Sequence, residues 1–227
     1  APPLPPPTPP DPPAHPPPCF PMDWGSAGKV QLDFTSAEMT VSNLGGLGPD
    51  FDAAEEVRMA NVGRSGEETL DLVVRATTDY DAWNTASTQV LGEFAQINLK
   101  NDRTATFEFC LVAQSSGDPV VLDDFDFTFF DFDNAKPYTS GTYGEVPGHH
   151  EQLTIGGFAS YKTSTTVPST VAIGEAADGR TTFTSTEEGT GKDNPTSAIG
   201  MSDVATARSV TFSFTSTSGQ RTMRNFS

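Results

Sequence analysis

Apolar residues recur at every second position in short runs along most of this chain. Val30, Leu32 and Phe34 alternate with Gln31 and Asp33, and Leu70, Leu72 and Val74 alternate with Asp71 and Arg75. Phe107, Phe109 and Leu111 follow, then Phe125, Phe127 and Phe129, and near the end Val210, Phe212 and Phe214. A period of two marks a strand with one buried face. Turn-forming groups fall between the runs, at residues 63–66, 116–119, 177–179 and 218–219. Helical periodicity is nearly absent. Residues 50–59 and 202–207 are each expected to hold a turn or two of helix. The pattern predicts an all-β fold, an antiparallel β-sandwich resembling a jelly roll. The run 210–215 is expected to turn back through a hairpin into 221–226, which would form an edge strand.

One run breaks its own pattern. In residues 122–134 the apolar positions are odd through Phe125, Phe127 and Phe129, then even at Phe130 and Phe132. A strand cannot move its apolar face without a bulge or a break. A kink is therefore expected after Phe129, with Asp131, Asp133 and Asn134 projecting together beyond it.

The amino-terminal segment follows no such pattern. Twelve of the first eighteen residues are proline. Proline fixes φ and lacks an amide donor, so residues 1–21 are expected to form a polyproline II rod. At about 3.1 Å per residue, the proline-rich part would extend about 55 Å. Residues 22–227 then form the β-sandwich domain.

The two cysteines are Cys19, where the prolines end, and Cys110, within the run Thr106-Phe-Glu-Phe-Cys-Leu-Val112. There Phe107, Phe109 and Leu111 share one face, and Thr106, Glu108 and Cys110 share the other. A tail held on the outer face of the sheet would meet Cys110. A Cys19–Cys110 disulfide is expected, restricting the unfolded chain by about 4–5 kcal/mol in the loop-entropy account. It would place the protein in an oxidising compartment, secreted or at the cell surface. The chain begins Ala-Pro-Pro, which fits either an end left by removal of an export signal or a part of a longer sequence.

Thirty acidic residues against thirteen basic ones give a net charge of −17. This argues against nucleic acid as a partner, since phosphates need Lys and Arg. No apolar run approaches the length of a membrane span. The acidity serves solubility or marks a calcium-rich setting. Three acidic loops carry the calcium expectation: Asp131 and Asp133, then Asp193 and Asn194, with Asp50 as a further ligand. Hard oxygen donors without His or Cys suit calcium. The alternative is that these carboxylates form turns and solvated strand faces.

Other features carry less. His149 and His150 lie beside Pro147 and Gly148, which predicts a surface loop. Trp24, Tyr80 and Trp83 are expected to pack in the core or at its rim rather than stack on sugars. Runs of Thr, as at 181–186, read as solvent faces of strands. No nucleophile elbow, P-loop or zinc-protease motif is present, so no residue is given a catalytic role and no enzymatic activity is expected.

The proline runs, joined through a cysteine to an acidic β domain, resemble the hydroxyproline-rich extracellular glycoproteins of algae and other protists, pherophorin-like matrix proteins among them. The resemblance is specific over residues 1–18. It implies hydroxylation and glycosylation at prolines within Pro5, Pro6 and Pro7, Pro9 and Pro10, Pro12 and Pro13, and Pro16, Pro17 and Pro18. The function expected is that of a structural subunit in a secreted filament or surface appendage. Copies of the chain would assemble head to tail by docking the polyproline tail on a neighbouring subunit. The alternative is a calcium-dependent carbohydrate-binding module on a proline-rich stalk.

Overall fold

The computed structural model describes residues 32–120, 122, 124–141, 144–146, 148–189, 202–215 and 223–226. Its strands in chain order are β1 (Glu38–Ser42), β2 (Val57–Ser65), β3 (Glu68–Ala76), β4 (Gln89–Leu91), β5 (Phe94–Gln96) and β6 (Ala105–Ala113). Then come β7 (Asp124–Phe129), β8 (Asn134–Ala135), β9 (Tyr138–Ser140), β10 (Gly144–Val146), β11 (His149–His150) and β12 (Gln152–Ile155). After β13 (Ser160–Thr163), β14 (Val171–Glu175) and β15 (Thr181–Ser185), one short helix, α1 (Asp203–Ala207), precedes β16 (Val210–Thr215) and β17 (Met223–Phe226).

The strands form antiparallel sheets, as the alternation predicts. An eight-stranded sheet runs β1-β2-β3-β6-β17-β12-β15-β14, and a three-stranded sheet runs β13-β16-β7. The pairs β4-β5, β8-β11 and β9-β10 are local hairpin-like additions. One hydrophobic core lies between the two main sheets and draws on both. Leu70, Leu72, Val74, Phe107, Phe109, Leu153 and Phe183 come from the larger sheet, with Val210, Phe212 and Phe214 from the smaller. Aromatic edges join the layers. Phe183 meets Phe212 at 5.0 Å and 88°, and Phe109 meets Phe127 at 5.8 Å. Within the smaller sheet, Phe125 and Phe214 are register partners and stack at 4.9 Å.

The larger sheet is buried on its second face too. Val73, Cys110 and Val112 form a separate hydrophobic cluster there. Beside it lies a charged network. Glu56 accepts Arg75 Nε at 2.9 Å and stands 3.3 Å from Arg58, and Arg58 reaches Asp71 at 3.6 Å. Asp71 also receives Gln114 Nε2 at 3.0 Å. Each of these charges has an opposite partner, which offsets the cost of taking it out of water.

Several expectations change. The run at 30–34 does not continue as a strand: among its described residues, Leu32 makes a single bridge to Gly63. Asp33 then turns the chain by accepting the Thr35 amide at 2.9 Å. Residues 50–59 are not helical. Asp50 is tied to the end of β1 by the Ser42 amide at 2.8 Å, and β2 starts at Val57. The helix expected at 202–207 is present as α1. The sharpest correction concerns 221–226. Its described part, β17, is no edge strand of a hairpin with β16. It lies inside the other sheet, between β6 and β12.

Candidate functional site

Where β7 ends, the chain gathers its most perturbed carboxylates. The parity change after Phe129 is real: Asp131 adopts φ +69°, in the left-handed region. This turn lets Phe132 enter the core on the opposite parity to Phe129. The Phe132 amide donates to Arg208 O at 3.1 Å, which holds the kink against the segment between α1 and β16.

Arg208 is the cation of this region, and its side chain is 4% exposed. Its Nη1 stands 3.5 Å from Asp133 Oδ2, and its Nη2 donates to Glu188 O at 2.7 Å. Gly189 packs directly on the Asp133 carboxylate, and a β-carbon at that position would collide with it. Lys136 pairs with Glu188 at 2.6 Å on the outer side.

Glu151 completes the group. Its amide donates to Asp133 O at 3.2 Å and to Ser185 Oγ at 2.9 Å. Burial, then the charges of Asp131 and Asp133, push its carboxyl up to about 8. Burial, then Asp133, raise Asp131 to about 6 against the pull of Arg208. Glu151 keeps an exposed flank, where solvent screens part of this repulsion. Near neutral pH Asp131 is thus mostly ionised, while Glu151 is held toward its protonated form.

Behind the carboxylates lies a hydrogen-bonded knot. The Ser185 hydroxyl and His150 Nδ1 both donate to Asn134 Oδ1, the latter at 2.9 Å. Asn134 therefore serves structure, tying β8 to β11 and β15. His149 and His150 form strand β11 opposite Ala135 and Asn134, not the free loop expected from Pro147 and Gly148. On the other side of Arg208 an open groove of about 370 Å³ is lined by Pro168, Thr170, Thr186, Glu187 and Asp203.

Among the expected calcium ligands, Asp131 and Asp133 come together. Asp50 is held at the end of β1 and is not among the charges acting on Asp131. Asp193 and Asn194 lie outside the described residues. Among those described, no group of three or more His, Cys, Asp or Glu side chains has the arrangement to hold a metal ion. Arg208 and Glu151 were not found by sequence reasoning. Each is a single charged residue with no motif around it, and the fold alone brings them to Asp133.

Cys110 is 3% exposed, on the face away from Phe107 and Phe109, as the strand pattern predicts. Cys19, all of the nominated prolines and the expected rod lie outside the described residues, as does Trp24. No described cysteine is a free thiol. Tyr80 packs edge-on against Phe107 at 5.6 Å, whereas Trp83 is 56% exposed instead of packing inside. Among the described residues no helix is long and apolar enough to cross a membrane. Compared with protein-family models, curated proteins and solved structures, the chain matches none of them.

Proposed function

We propose that this chain is a structural subunit of a secreted filament or surface appendage, assembled from copies of itself by its polyproline tail and carrying glycans on that tail. The observation that carries the reading is the placement of Cys110. It sits with Val73 and Val112 in a second buried patch on the outer face of the larger sheet. The chain's other cysteine, Cys19, directly follows the prolines. A Cys19–Cys110 bond would root the rod on that face and aim it away from its own core. A rod already in its bound shape loses little entropy when a neighbour receives it.

Deleting residues 1–18 tests this, because it removes the rod and keeps Cys19. The expected result is a folded monomer with an unchanged far-ultraviolet spectrum, while the full chain forms filaments visible by electron microscopy. Filaments of undiminished length from the deletion would overturn the reading. Mass spectrometry of native material checks proline hydroxylation, attached sugars and the disulfide together.

The calcium-dependent carbohydrate module has one favourable observation, the crowding of Asp131, Asp133 and Glu151. Arg208 already supplies a cation there, so calcium would need Asp193 and Asn194 to outcompete it. Calorimetric titration after chelation decides: heat and a raised melting temperature support the module, and their absence ends it.

A further inference from the structure

The eight-stranded sheet is two blocks, β1-β2-β3-β6 and β12-β15-β14, joined in its order through β17. The chain reaches β17 from the other layer. β16 ends at Thr215 in the three-stranded sheet, and β17 begins at Met223 in the larger one. Seven residues, 216–222, connect them in sequence. Such a link spans at most about 25 Å, against about 10 Å between packed sheets. It is long enough to seat β17 in its own slot, and long enough to reach a slot on an adjoining molecule.

The slot has two walls, β6 and β12, each also paired on its far side, to β3 and to β15. On one side β6 presents Ala105, Glu108 and Phe109, in register with Phe226, Arg224 and Met223. Further along β6 the same backbone is already occupied. Val120 N–H donates to Leu111 O, and Ala113 N–H to Asp118 O, both at 2.8 Å. On the other side β12 meets β17 at Leu153, opposite Phe226, while β15 pairs with β12 over four positions. The walls are buried: Phe107, Leu153 and Ile155 are each 2% exposed or less, and Glu108 is buried too. Emptied, the slot would leave two sheet edges with unpaired N–H and C=O groups in the interior. A site of that kind accepts an extended strand, with backbone hydrogen bonds supplying the affinity.

We propose that the slot between β6 and β12 also accepts the 223–226 strand of a second copy, so that subunits exchange this strand. The contacts made by a neighbour's strand and by the chain's own strand are the same. The choice between them is set by the tether's effective concentration against the concentration of copies. Among the described residues, β17 shares one register position with β12, and its register with β6 is broken by an irregularity between Arg224 and Phe226. Exchange in one direction around a screw axis gives an open filament, and reciprocal exchange gives a closed dimer. This inference does not rest on the polyproline reading.

The test mixes equal amounts of light-isotope and heavy-isotope full-length protein carrying benzoylphenylalanine in place of Phe226. The material is concentrated, irradiated, separated by size and digested. In assembled fractions, cross-links from position 226 to the β6 or β12 peptides are expected as mixed light–heavy pairs about as often as same-isotope pairs. Same-isotope pairs alone in the assembled fraction, or no assembled fraction at any concentration, overturn the proposal. The same probe at Met223 repeats the readout at the other end of the strand, should the first disturb folding. The deletion of residues 1–18 is run beside both. If it still assembles with mixed pairs, tail docking fails and strand exchange stands. If the full chain assembles with same-isotope pairs alone, strand exchange fails and tail docking stands.

Discussion

Arg208 and Asp133 meet at 3.5 Å where the kink after β7 touches the segment following α1. Arg208 faces a cluster of three carboxylates, and its Nη2 also satisfies Glu188 O. Replacing it with Met (Arg208→Met) leaves Asp133 beside Asp131 and Glu151 without that cation. The expected loss is about 3 kcal/mol in urea unfolding at pH 7, the low end for breaking a buried pair because Asp133 is partly solvated. The double variant Arg208→Met with Asp133→Leu is expected to lose less than the single one, since no lone charge remains.

The same cluster gives a pH dependence of definite sign. Glu151 is raised from its ordinary 4.5 to about 8, and Asp131 from 3.8 to about 6. Between the unfolded and folded values the native chain holds protons that the unfolded chain has lost. This contribution to stability is full below about pH 4, falls as pH rises, and is gone above about pH 8. Thermal melts from pH 4 to 9 check it. Glu151→Gln is expected to remove the part of the decline between pH 6 and 8 and to melt higher than the parent at pH 8.5.

On the outer face of the larger sheet, the Glu56 side chain is 5% exposed and pairs with two arginines. Arg75 approaches it at 2.7 Å and Arg58 at 3.3 Å. Glu56→Gln keeps the shape and removes the charge between them. An expected loss of about 2 kcal/mol follows from leaving two partly buried guanidinium groups undercompensated. Chemical denaturation reads it, and the effect is expected to weaken only in part in high salt because the Glu56 carboxylate itself is buried.

The core itself supplies a control of known size. Phe212 is fully buried between the layers, touching Phe129, Phe158 and Phe183. Phe212→Ala is expected to cost about 3–5 kcal/mol. Trp83→Ala, at a side chain that is 56% exposed, is expected to cost under about 1 kcal/mol. Paired melting curves compare the two.

Much of the fold is legible in the residues because a two-residue period survives without knowledge of partners. The alternation at Leu70–Leu72–Val74 and Phe107–Phe109 marks core faces correctly. The shift at Phe129 and Phe130 marks the turn at Asp131, and Cys110 falls on the outer face by parity alone. What is not legible depends on pairing between distant segments. β1 alternates only through Met39 and Val41, too short a run to place without its register with β2. Asp33 stops its run with a side-chain hydrogen bond that hydrophobicity does not report. A strand of four residues such as β17 has too short a pattern to show whether it lies at an edge or inside. The site follows the same division. Asp131 and Asp133 are neighbours in sequence and were found together. Glu151 and Arg208 come from elsewhere in the chain, and only the packed layers bring their charges near.

The central position of β17 bears on how the molecule is made. β6 and β17 are separated by about 110 residues of sequence, so their ladder is among the last that a growing chain can complete. Until then β6 and β12 present raw edges to every other molecule in reach. Refolding is expected to slow and lose yield as protein concentration rises, and rapid dilution should recover it.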